Sequence, residues 1–388
     1  MKAIICGAGI AGLSCAWWLA RDGWDVMLLE KTQSLRGGGY MLDFFGSGWD
    51  VAERMGLVPA LRALRYPVKE VCWIDGQVRT QAILDVRLIA DLLQGRYANV
   101  LRGDLERILF DAQPPGIDLR FDTSIATIET DKDAVALRLT SGAIERADLL
   151  VGADGIHSIV REKMFGAEKK YLRFLGYQTA AFVFDDPRLA EQLGDEFKLM
   201  TVPGREVGFY ALRGGRIASF FVHKTRSAQL PANPLEELWR VYRDLGWLVP
   251  QSLKAAERLP GIYYDVVAQV EMPQWSRRHV VLIGDAAMAV SLLAGQGASM
   301  GMASAYCLAE ALRAEKSVDK ALQKYERMLK APIKAKQRAG RQTANWIVPP
   351  TSFHIFLRNA VMRLGALPGG RTLLAKMFLS GSESVIPG

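Results

Sequence analysis

The sequence KAIICGAGIAGL, residues 2–13, decides the fold of the N-terminal part of this 388-residue chain. A short apolar strand runs into three glycines, Gly7, Gly9 and Gly12, and a helical pattern follows. In such a strand–turn–helix unit the first glycine permits a tight turn, the second lets the backbone approach a pyrophosphate, and the third lets the helix pack on the strand. The N–H groups at a helix N-terminus also favour an anion. The stretch therefore predicts a dinucleotide-binding turn.

A second apolar strand is predicted at residues 25–29, and it ends at Glu30, which Lys31 follows. An acidic side chain at this spacing hydrogen-bonds a ribose hydroxyl in dinucleotide-binding units. Two alternatives compete: the glycines could form an ordinary connecting turn, or Lys2 and the apolar stretch after it could form a secretory signal. Three glycines at fixed offsets would have no purpose in a cleaved peptide. We therefore favour the dinucleotide-binding turn.

Composition narrows the class of protein. Hydrophobic residues make up 50% and charged residues 23% of the chain, which is typical of a globular protein large enough for two or three packed units. The four cysteines show no paired short spacing, and the four histidines do not cluster. We therefore expect neither a disulfide framework nor a metal site, and we expect a cytoplasmic location.

The formal net charge of +8 has several explanations. Nucleic acid, an anionic membrane surface or an anionic cofactor would each suit a basic chain. The basic residues are spread along the sequence with a local excess over residues 330–341, and no nucleic-acid-binding motif accompanies them. We expect no nucleic-acid partner, and the role of residues 330–341 stays open.

The pattern of strands indicates two sheets. Apolar runs at residues 147–151 and 280–283 are typical of buried parallel strands, whereas residues 171–270 alternate aromatic and polar positions between Gly-rich turns, as antiparallel strands do. The sequence thus predicts an α/β fold with a discontinuous Rossmann-type cofactor domain, an antiparallel substrate domain and a C-terminal helical tail. The expected boundaries are 1–70, 98–170 and 278–335 for the cofactor domain, 71–97 and 171–277 for the substrate domain, and 336–388 for the tail.

The tail shows two helical stretches, residues 353–364 and 371–379. Arg358, Arg363 and Arg371 interrupt their apolar character, so we expect no membrane crossing. A lid over the site or a dimer contact is the favoured role, and an anchor at a membrane surface is the less favoured one. The protein is expected to be a monomer or a homodimer.

Two further blocks place a carboxylate and glycines after a buried strand. Asp154-Gly155 follows the strand near residue 150, with Ser158 and Arg161 at helical spacing after it. Asp285 follows the strand near residue 282, and a Gly-Gln-Gly turn then leads into a helix whose dipole could stabilise negative charge on a ring system. Taken alone, each block could be an ordinary capped turn.

Together, in this order, the three blocks resemble the single-component FAD-dependent aromatic monooxygenases of the p-hydroxybenzoate hydroxylase type, over residues 2–329. The resemblance implies that the first block and Glu30 bind the ADP part of FAD, that Asp154-Gly155 contacts the pyrophosphate and handles NAD(P)H, and that Asp285 holds the ribityl region. The turn at residues 295–298 would meet the flavin pyrimidine edge. The cofactor-binding residues that follow from it are Gly7, Gly9, Ala11, Gly12, Glu30, Lys31, Gly39, Asp43, Arg102, Asp154, Gly155, Asp285, Gly295, Gly297 and Ala298.

A narrower resemblance, to tetracycline-inactivating monooxygenases, rests on Gly38-Gly39, Leu42-Asp43 and residues 46–48. The chain departs from the wider family at two places near the predicted flavin. Met288 stands where the family usually has His, and Leu292 where it has Pro. These departures keep open a dehydrogenase or reductase of the same fold that does not hydroxylate, and a non-catalytic ligand-binding flavoprotein.

The resemblance implies that NAD(P)H reduces FAD, that O2 forms a flavin C4a-hydroperoxide, and that one oxygen atom passes to an aromatic or polycyclic, phenolic or tetracycline-like substrate. One dinucleotide fingerprint fits a chain that binds NAD(P)H only transiently. Phe182, Phe209 and Phe220 are expected to line the apolar substrate pocket, although alternating aromatics also occur in ordinary cores. No catalytic base is assigned: Tyr210, His223 and Arg213 were weighed as candidates and none is preferred.

Overall fold

The computed structural model describes residues 1–35, 40–131, 134–365, 369–370 and 383–386, and it leaves out the side chains of residues 294 and 343. The predicted cofactor residue Gly39 and the predicted helical stretch 371–379 lie outside the described residues. Within the described ranges, an α/β architecture with two larger sheets confirms the predicted fold class.

Strands form a six-stranded sheet, a seven-stranded sheet, a small three-stranded sheet and a two-stranded ribbon. In chain order they are β1 (Lys2–Cys6), β2 (Asp25–Leu29), β3 (Met41–Phe45), β4 (Glu70–Ile74), β5 (Thr80–Asp85), β6 (Tyr97–Leu101), β7 (Asp118–Arg120), β8 (Ile125–Thr130), β9 (Val135–Leu139), β10 (Ile144–Ala147), β11 (Leu149–Gly152), β12 (Leu172–Asp185), β13 (Glu196–Val202), β14 (Arg205–Leu212), β15 (Arg216–Lys224), β16 (Tyr263–Val270), β17 (Ser276–Arg277) and β18 (Val280–Leu282).

Helices connect and cover these sheets. They are α1 (Ile10–Arg21), α2 (Ser47–Arg54), α3 (Val58–Leu64), α4 (Val86–Leu92), α5 (Arg102–Asp111), α6 (Ile159–Phe165), α7 (Pro187–Leu193), α8 (Pro234–Tyr242), α9 (Val249–Ala256), α10 (Asp285–Met288), α11 (Gly297–Ala314), α12 (Val318–Ile347) and α13 (Ser352–Gly365).

The six-stranded sheet has the order β17-β18-β11-β1-β2-β7. Its central strands are parallel: Ile4 of β1 lies beside Leu150 of β11 and Met27 of β2, and Val151 lies beside Val281 of β18. These strands are apolar throughout because helices cover both faces of a parallel sheet. The four strands come from three distant parts of the chain, so their carboxyl ends bring the three glycine-containing blocks to one edge.

The seven-stranded sheet has the order β16-β12-β15-β14-β13-β4-β5 and is antiparallel except where β4 pairs with β13. Alternate residues point to opposite faces. We call the face under α8 and α9 the back face; its core includes Phe182, Phe209 and Phe221. The front face, which includes Phe220 and Tyr210, packs instead against α12 and the region of β3.

Residues 47–64 form two helices, because Gly56 adopts a φ of +73° between them. The turn after β4 extends to Val78, which has a φ of +62°, so β5 begins at Thr80. The predicted boundary at residue 336 lies within α12, which runs without a break through that position. None of the described helices is long and apolar enough to cross a bilayer.

Candidate cofactor and substrate site

The glycine turn after β1 is shaped by steric limits at two of its three glycines. Gly7 has a φ of +104°, and a Cβ there would lie 2.6 Å from the Ala153 carbonyl oxygen. A Cβ on Gly12 would lie 1.8 Å from the carbonyl oxygen of Gly7. The turn thus packs directly on the block after β11, and α1 packs on the turn.

The N-terminus of α1 is left open toward the cleft. Gly9 is the N-cap, no side chain of the described residues caps the helix there, and no acidic residue lies in its first turn. A Cβ on Gly9 would meet nothing closer than the Glu106 Oε1 atom at 3.5 Å and the Arg102 Nη2 atom at 3.7 Å. Free N–H groups, a helix dipole and a nearby guanidinium form a donor set that fits a diphosphate.

Glu30 is held beside this turn at the end of β2. Its carboxylate accepts hydrogen bonds from the Ala8 N–H at 2.9 Å and from the Thr32 N–H at 3.0 Å and hydroxyl at 2.9 Å. These contacts fix the carboxylate at the place where a ribose would lie next to the diphosphate. Lys31 is exposed. Burial raises the pKa of Cys6, the residue directly before the turn, and the charge of Lys31 acts to lower it.

Asp154 acts as a helix cap in this structure. Its carboxylate accepts from the Ser158 hydroxyl at 2.5 Å and from the Ile159 and Val160 N–H groups at 2.7 and 3.1 Å. Burial raises the pKa of this carboxyl, and the hydrogen bonds oppose that rise. Its oxygens are therefore engaged within the protein. The neighbouring Gly155, with a φ of +82° and nothing within 4 Å of a Cβ, is the part of the block with space for a ligand.

Arg161 does not face a nucleotide, as the sequence pattern had allowed. It is fully buried and donates to the Ile156 carbonyl oxygen at 2.6 Å, to the Ala286 carbonyl oxygen at 3.1 Å and to Glu168 at 3.1 Å. The residue thus ties the second block to α10 of the third block. Its role is to hold the two blocks together.

Asp285 begins α10 and faces the same cleft. Burial raises the pKa of its carboxyl, and the nearby Arg102 guanidinium opposes that rise. The side chain is nevertheless accessible to solvent, so it lines an internal cleft. A Cβ on Gly297 would lie 3.7 Å from Asp285 Oδ1, which places the start of α11 next to this carboxylate.

The turn before α11 resembles the turn before α1 in its chemistry. Gly295 has a φ of +66°, Gln296 is the N-cap, and the first turn carries no acidic residue. Ala298 lies in that first turn and is partly accessible. This second open helix N-terminus favours negative charge on whatever lies against it.

Ala11 has a packing role between the two helices. A Cβ on Gly284 would lie 2.9 Å from the Ala11 methyl carbon, and one on Gly301 would lie 3.3 Å from it. Small residues here let α1, α10 and α11 approach closely, so that both open helix N-termini face one cleft.

Arg102 bridges the cleft between the first and third blocks. Its Nη2 lies 2.7 Å from Glu106 Oε1, an i,i+4 pair on α5 in which Glu106 is buried. Because the pair also lies beside Gly9 and Asp285, it links the phosphate end with the ribityl end of the predicted cofactor site. The sequence analysis missed Glu106, although its spacing from Arg102 on a helix was a usable signal.

Asp43 lies in the β3–β6 ribbon, opposite Asn99. Its Oδ1 accepts from the Tyr97 hydroxyl and the Asn99 amide, both at 2.6 Å, and burial raises the pKa of the carboxyl. Two tyrosines that sequence reasoning missed also face this region: the Tyr40 and Tyr263 rings lie 6.0 Å apart. Tyrosines carry no motif, so only the assembled fold could reveal this pair.

The three aromatic residues expected to line one pocket lie on two faces of the seven-stranded sheet, so they do not line a single pocket together. Phe182 and Phe209 pack in the core under α8 and α9 on the back face. Phe220 lies on the front face with Val222 and Leu293, and Leu293 belongs to the short turn before Gly295. The alternation of strand residues puts Phe220 toward the cofactor turn and its neighbours in sequence away from it.

The three base candidates also separate. His223 lies on the back-face side beside Tyr242, with 3.3 Å between Nδ1 and the tyrosine oxygen, and burial lowers the pKa of His223 to about 4. Arg213 donates to backbone carbonyls at the end of α3. Tyr210 alone lies on the front face, where its hydroxyl oxygen accepts from the Met41 N–H at 2.5 Å. No base follows from these positions.

Comparison with known proteins adds to this geometry. A family model described as "FAD binding domain" matches residues 1–336. "Uncharacterized protein Rv1260" of Mycobacterium tuberculosis is 32% identical over 330 residues, covering 80% of this chain and 84% of that protein. A "Flavin-dependent monooxygenase" of Legionella longbeachae is 28% identical over 346 residues, covering 88% of each chain.

Two further similarities concern proteins with stated substrates. "3-hydroxybenzoate 6-hydroxylase 1" of Aquipseudomonas alcaligenes is 27% identical over 373 residues, covering 92% of each chain. The crystal structure of tetracycline destructase Tet(55) superposes with a TM-score of 0.84 at 25% identity, covering 100% of this chain and 98% of that one. The superposition includes the last part of α12 and all of α13, which lie beyond the family match.

Proposed function

Because the chain belongs to the FAD binding domain family and is an FAD-dependent oxidoreductase, we propose that it uses NAD(P)H and O2 to hydroxylate a polycyclic aromatic substrate, such as a phenolic polyketide or a tetracycline-like compound. The proposal starts from the enzyme class, a flavin-dependent monooxygenase of aromatic compounds. The nicotinamide donor, the use of O2 and the polycyclic nature of the substrate are the proposal.

One observation carries it: two open helix N-termini, those of α1 and α11, face a single cleft that ends at the apolar front face of the seven-stranded sheet. The α1 end, with Arg102, offers donors that would hold the FAD diphosphate, and Glu30 would accept from the adenosine ribose. Asp285 would lie beside the ribityl chain. The α11 end offers positive potential to the flavin ring.

When bound, FAD supplies hydride acceptance from the nicotinamide and the activation of O2. The protein supplies position, charge and exclusion of water. Phe220 and Val222 present apolar surface toward the turn before Gly295, and α12 closes the same surface with Ala344 and Val348. A dry, apolar wall beside the ring would bind a planar substrate and limit unproductive loss of the activated oxygen.

The preference for a polycyclic substrate rests on the C-terminal helices. α12 and α13 cross the front face and pack over Trp73 and Leu199 as well as Phe220, so the covered surface extends from β15 to β4. The apolar part of the front face is thus longer than a single aromatic ring requires. The match to Tet(55) over 100% of this chain supports the same reading.

The test is turnover of the FAD-loaded protein with NADH or NADPH against hydroxybenzoates, phenolic polyketides and tetracyclines, under 18O2. We expect one substrate class to accelerate nicotinamide oxidation and to gain one labelled oxygen atom by mass spectrometry. Nicotinamide oxidation that yields hydrogen peroxide and no labelled product with any compound would favour the reductase alternative, which Met288 and Leu292 motivate.

A matched pair of variants tests the location of the pocket. Phe220→Ala on the front face should raise KM for the preferred substrate or change the product ratio. Phe182→Leu on the back face should alter stability and leave KM unchanged, because Phe182 packs under α8 and α9. The reverse result would place the substrate on the other face of the sheet.

A further inference from the structure

The basic stretch at residues 330–341 lies on α12 and does not form a uniformly solvated surface. Lys334 and Arg338 are exposed, whereas Lys336 is 8% exposed and is the single buried lysine among the described residues. A lysine is rarely buried without partners, because its ammonium loses hydration. The position of Lys336 therefore calls for an explanation other than net charge.

Lys336 contacts the turn at the start of α11. Its Nζ donates to Gln296 Oε1 at 3.0 Å and to the Glu383 carbonyl oxygen at 3.4 Å. Both partners are acceptor oxygens, as suits an ammonium with three donors and no acceptor. Gln296 stands between Gly295 and Gly297 and is the N-cap of α11. A side-chain cation thus lies at the same end of α11 as the positive end of its dipole.

Neighbouring contacts hold this part of α12 against the segment that leads to the turn. The Gln337 amide donates to the Val270 and Ala289 carbonyl oxygens at 2.8 and 3.2 Å. The Gln269 amide, in return, donates to the Val290 carbonyl oxygen at 2.5 Å and to that of Gln337 at 2.8 Å. These bonds are buried, so they limit the movement of Lys336 relative to the turn.

We propose that Lys336 is a positioning residue that acts through Gln296: it shapes the turn at residues 295–298 and adds positive charge there, which stabilises the negative charge that the flavin gains on reduction. The inference rests on the proposed function, in which that turn meets the flavin ring. Burial lowers the pKa of Lys336, and Glu383 opposes that shift. A charge so poorly hydrated acts over a longer distance than an exposed one.

The test compares the midpoint potential of bound FAD in the wild type, Lys336→Gln and Lys336→Arg, without substrate. We expect Lys336→Gln to bind reduced FAD about tenfold less tightly relative to oxidised FAD, a shift of about −30 mV for a two-electron couple. Lys336→Arg keeps the charge and should therefore keep most of the wild-type potential. Lys334→Met is the control: it removes the same charge from an exposed position of the same helix and should leave the potential unchanged.

An unchanged potential in an FAD-loaded Lys336→Gln protein would overturn the inference. So would an equal shift in the Gln and Arg variants, because a purely structural role predicts that both disturb the packing. If Lys336→Gln fails to fold, Lys336→Met, measured with circular dichroism alongside, takes its place as the neutral variant. Absence of an oxygenated product in the wild type would refute the proposed function alone, since the potential is measured without turnover.

Discussion

The buried ion pair between α13 and the seven-stranded sheet allows a quantitative prediction. Arg358 Nη1 lies 3.1 Å from Glu206 Oε2, and both side chains are 2% exposed. The Thr201 hydroxyl donates to Glu206 at 2.7 Å and accepts from Arg358 Nη2 at 3.0 Å. We predict that Arg358→Met detaches α13 from the front face, because it leaves the Glu206 carboxylate buried without its cation.

The magnitude follows from the cost of a lone buried charge. Removing one partner of a buried pair costs about 3–5 kcal/mol, whereas replacing both with apolar residues of similar volume is often neutral. Arg358→Met should therefore lower the free energy needed to detach α13 from the sheet, its opening free energy, by about that amount. The double variant Arg358→Met with Glu206→Met should regain most of the lost stability. The exposed Arg363→Met on the same helix is the control, with an expected loss below about 1 kcal/mol.

The loss should also depend on pH. Burial already raises the pKa of Glu206, and Arg358 opposes that rise. Without Arg358 the folded-state pKa lies further above the unfolded value of about 4.3, so the folded state binds the extra proton. The stability of Arg358→Met should thus approach that of the wild type as the pH falls toward 4.5. Its stability should fall below that of the wild type as the pH rises through the folded-state pKa of Glu206.

Hydrogen exchange of the α13 amides at pH 7, read as opening free energies, measures these differences region by region, which suits a multidomain chain better than one unfolding midpoint. Two results would refute the reasoning: an opening free energy of Arg358→Met within about 1 kcal/mol of the Arg363→Met control, or a double variant as unstable as the single one.

Other outcomes follow from the glycine turn and from the contact between domains. A Cβ at Gly12 would lie 1.8 Å from a backbone oxygen, so Gly12→Ala should fail to fold. A Cβ at Gly9 would meet nothing closer than 3.5 Å, so Gly9→Ala should fold but bind FAD about tenfold more weakly. Circular dichroism and titration of the apoprotein with FAD distinguish the two; a Gly12→Ala protein with normal FAD affinity would contradict this. The hydrogen bond to Asp265 raises the pKa of His157 to about 8, so the bond should stabilise the fold below pH 6.5 and lose its effect as the pH rises through 8. His157→Gln should lower the free energy of unfolding, read from urea transitions, at pH 6 and not at pH 9, by at most about 1 kcal/mol since the ring is partly exposed. Equal losses at both pH values would exclude the mechanism.

Much of the fold could be predicted from local patterns. The strand at Asp25–Leu29 matches the prediction at both ends, because a continuous apolar run between charged residues marks a buried parallel strand. The glycines of the first turn were identifiable since only glycine tolerates a φ of +104° and the approach of another backbone at that place. In each case the physical constraint acts within a few residues.

The differences from the predictions arose where the constraint is not local. Phe182 and Phe220 both lie on aromatic-rich strands of the same sheet, yet one lies under α8 and the other faces the cofactor turn. Alternation indicates that a strand has two faces and not what covers each of them. Likewise, the position of Arg161 after an Asp-Gly turn does not reveal that in the fold it binds carbonyl oxygens of two blocks.

The sequence by itself determined the α/β cofactor-binding fold, because the glycine-containing blocks carry their geometry in their own backbone requirements, and the order of the three blocks carried the resemblance to FAD-dependent monooxygenases. Only the tertiary structure decided how those blocks act together. It placed Arg102 beside both Gly9 and Asp285, set Lys336 against the turn before α11, and laid α12 and α13 over the front face. The reason is that charge and burial depend on residues far apart in the chain, whose meeting no local pattern encodes.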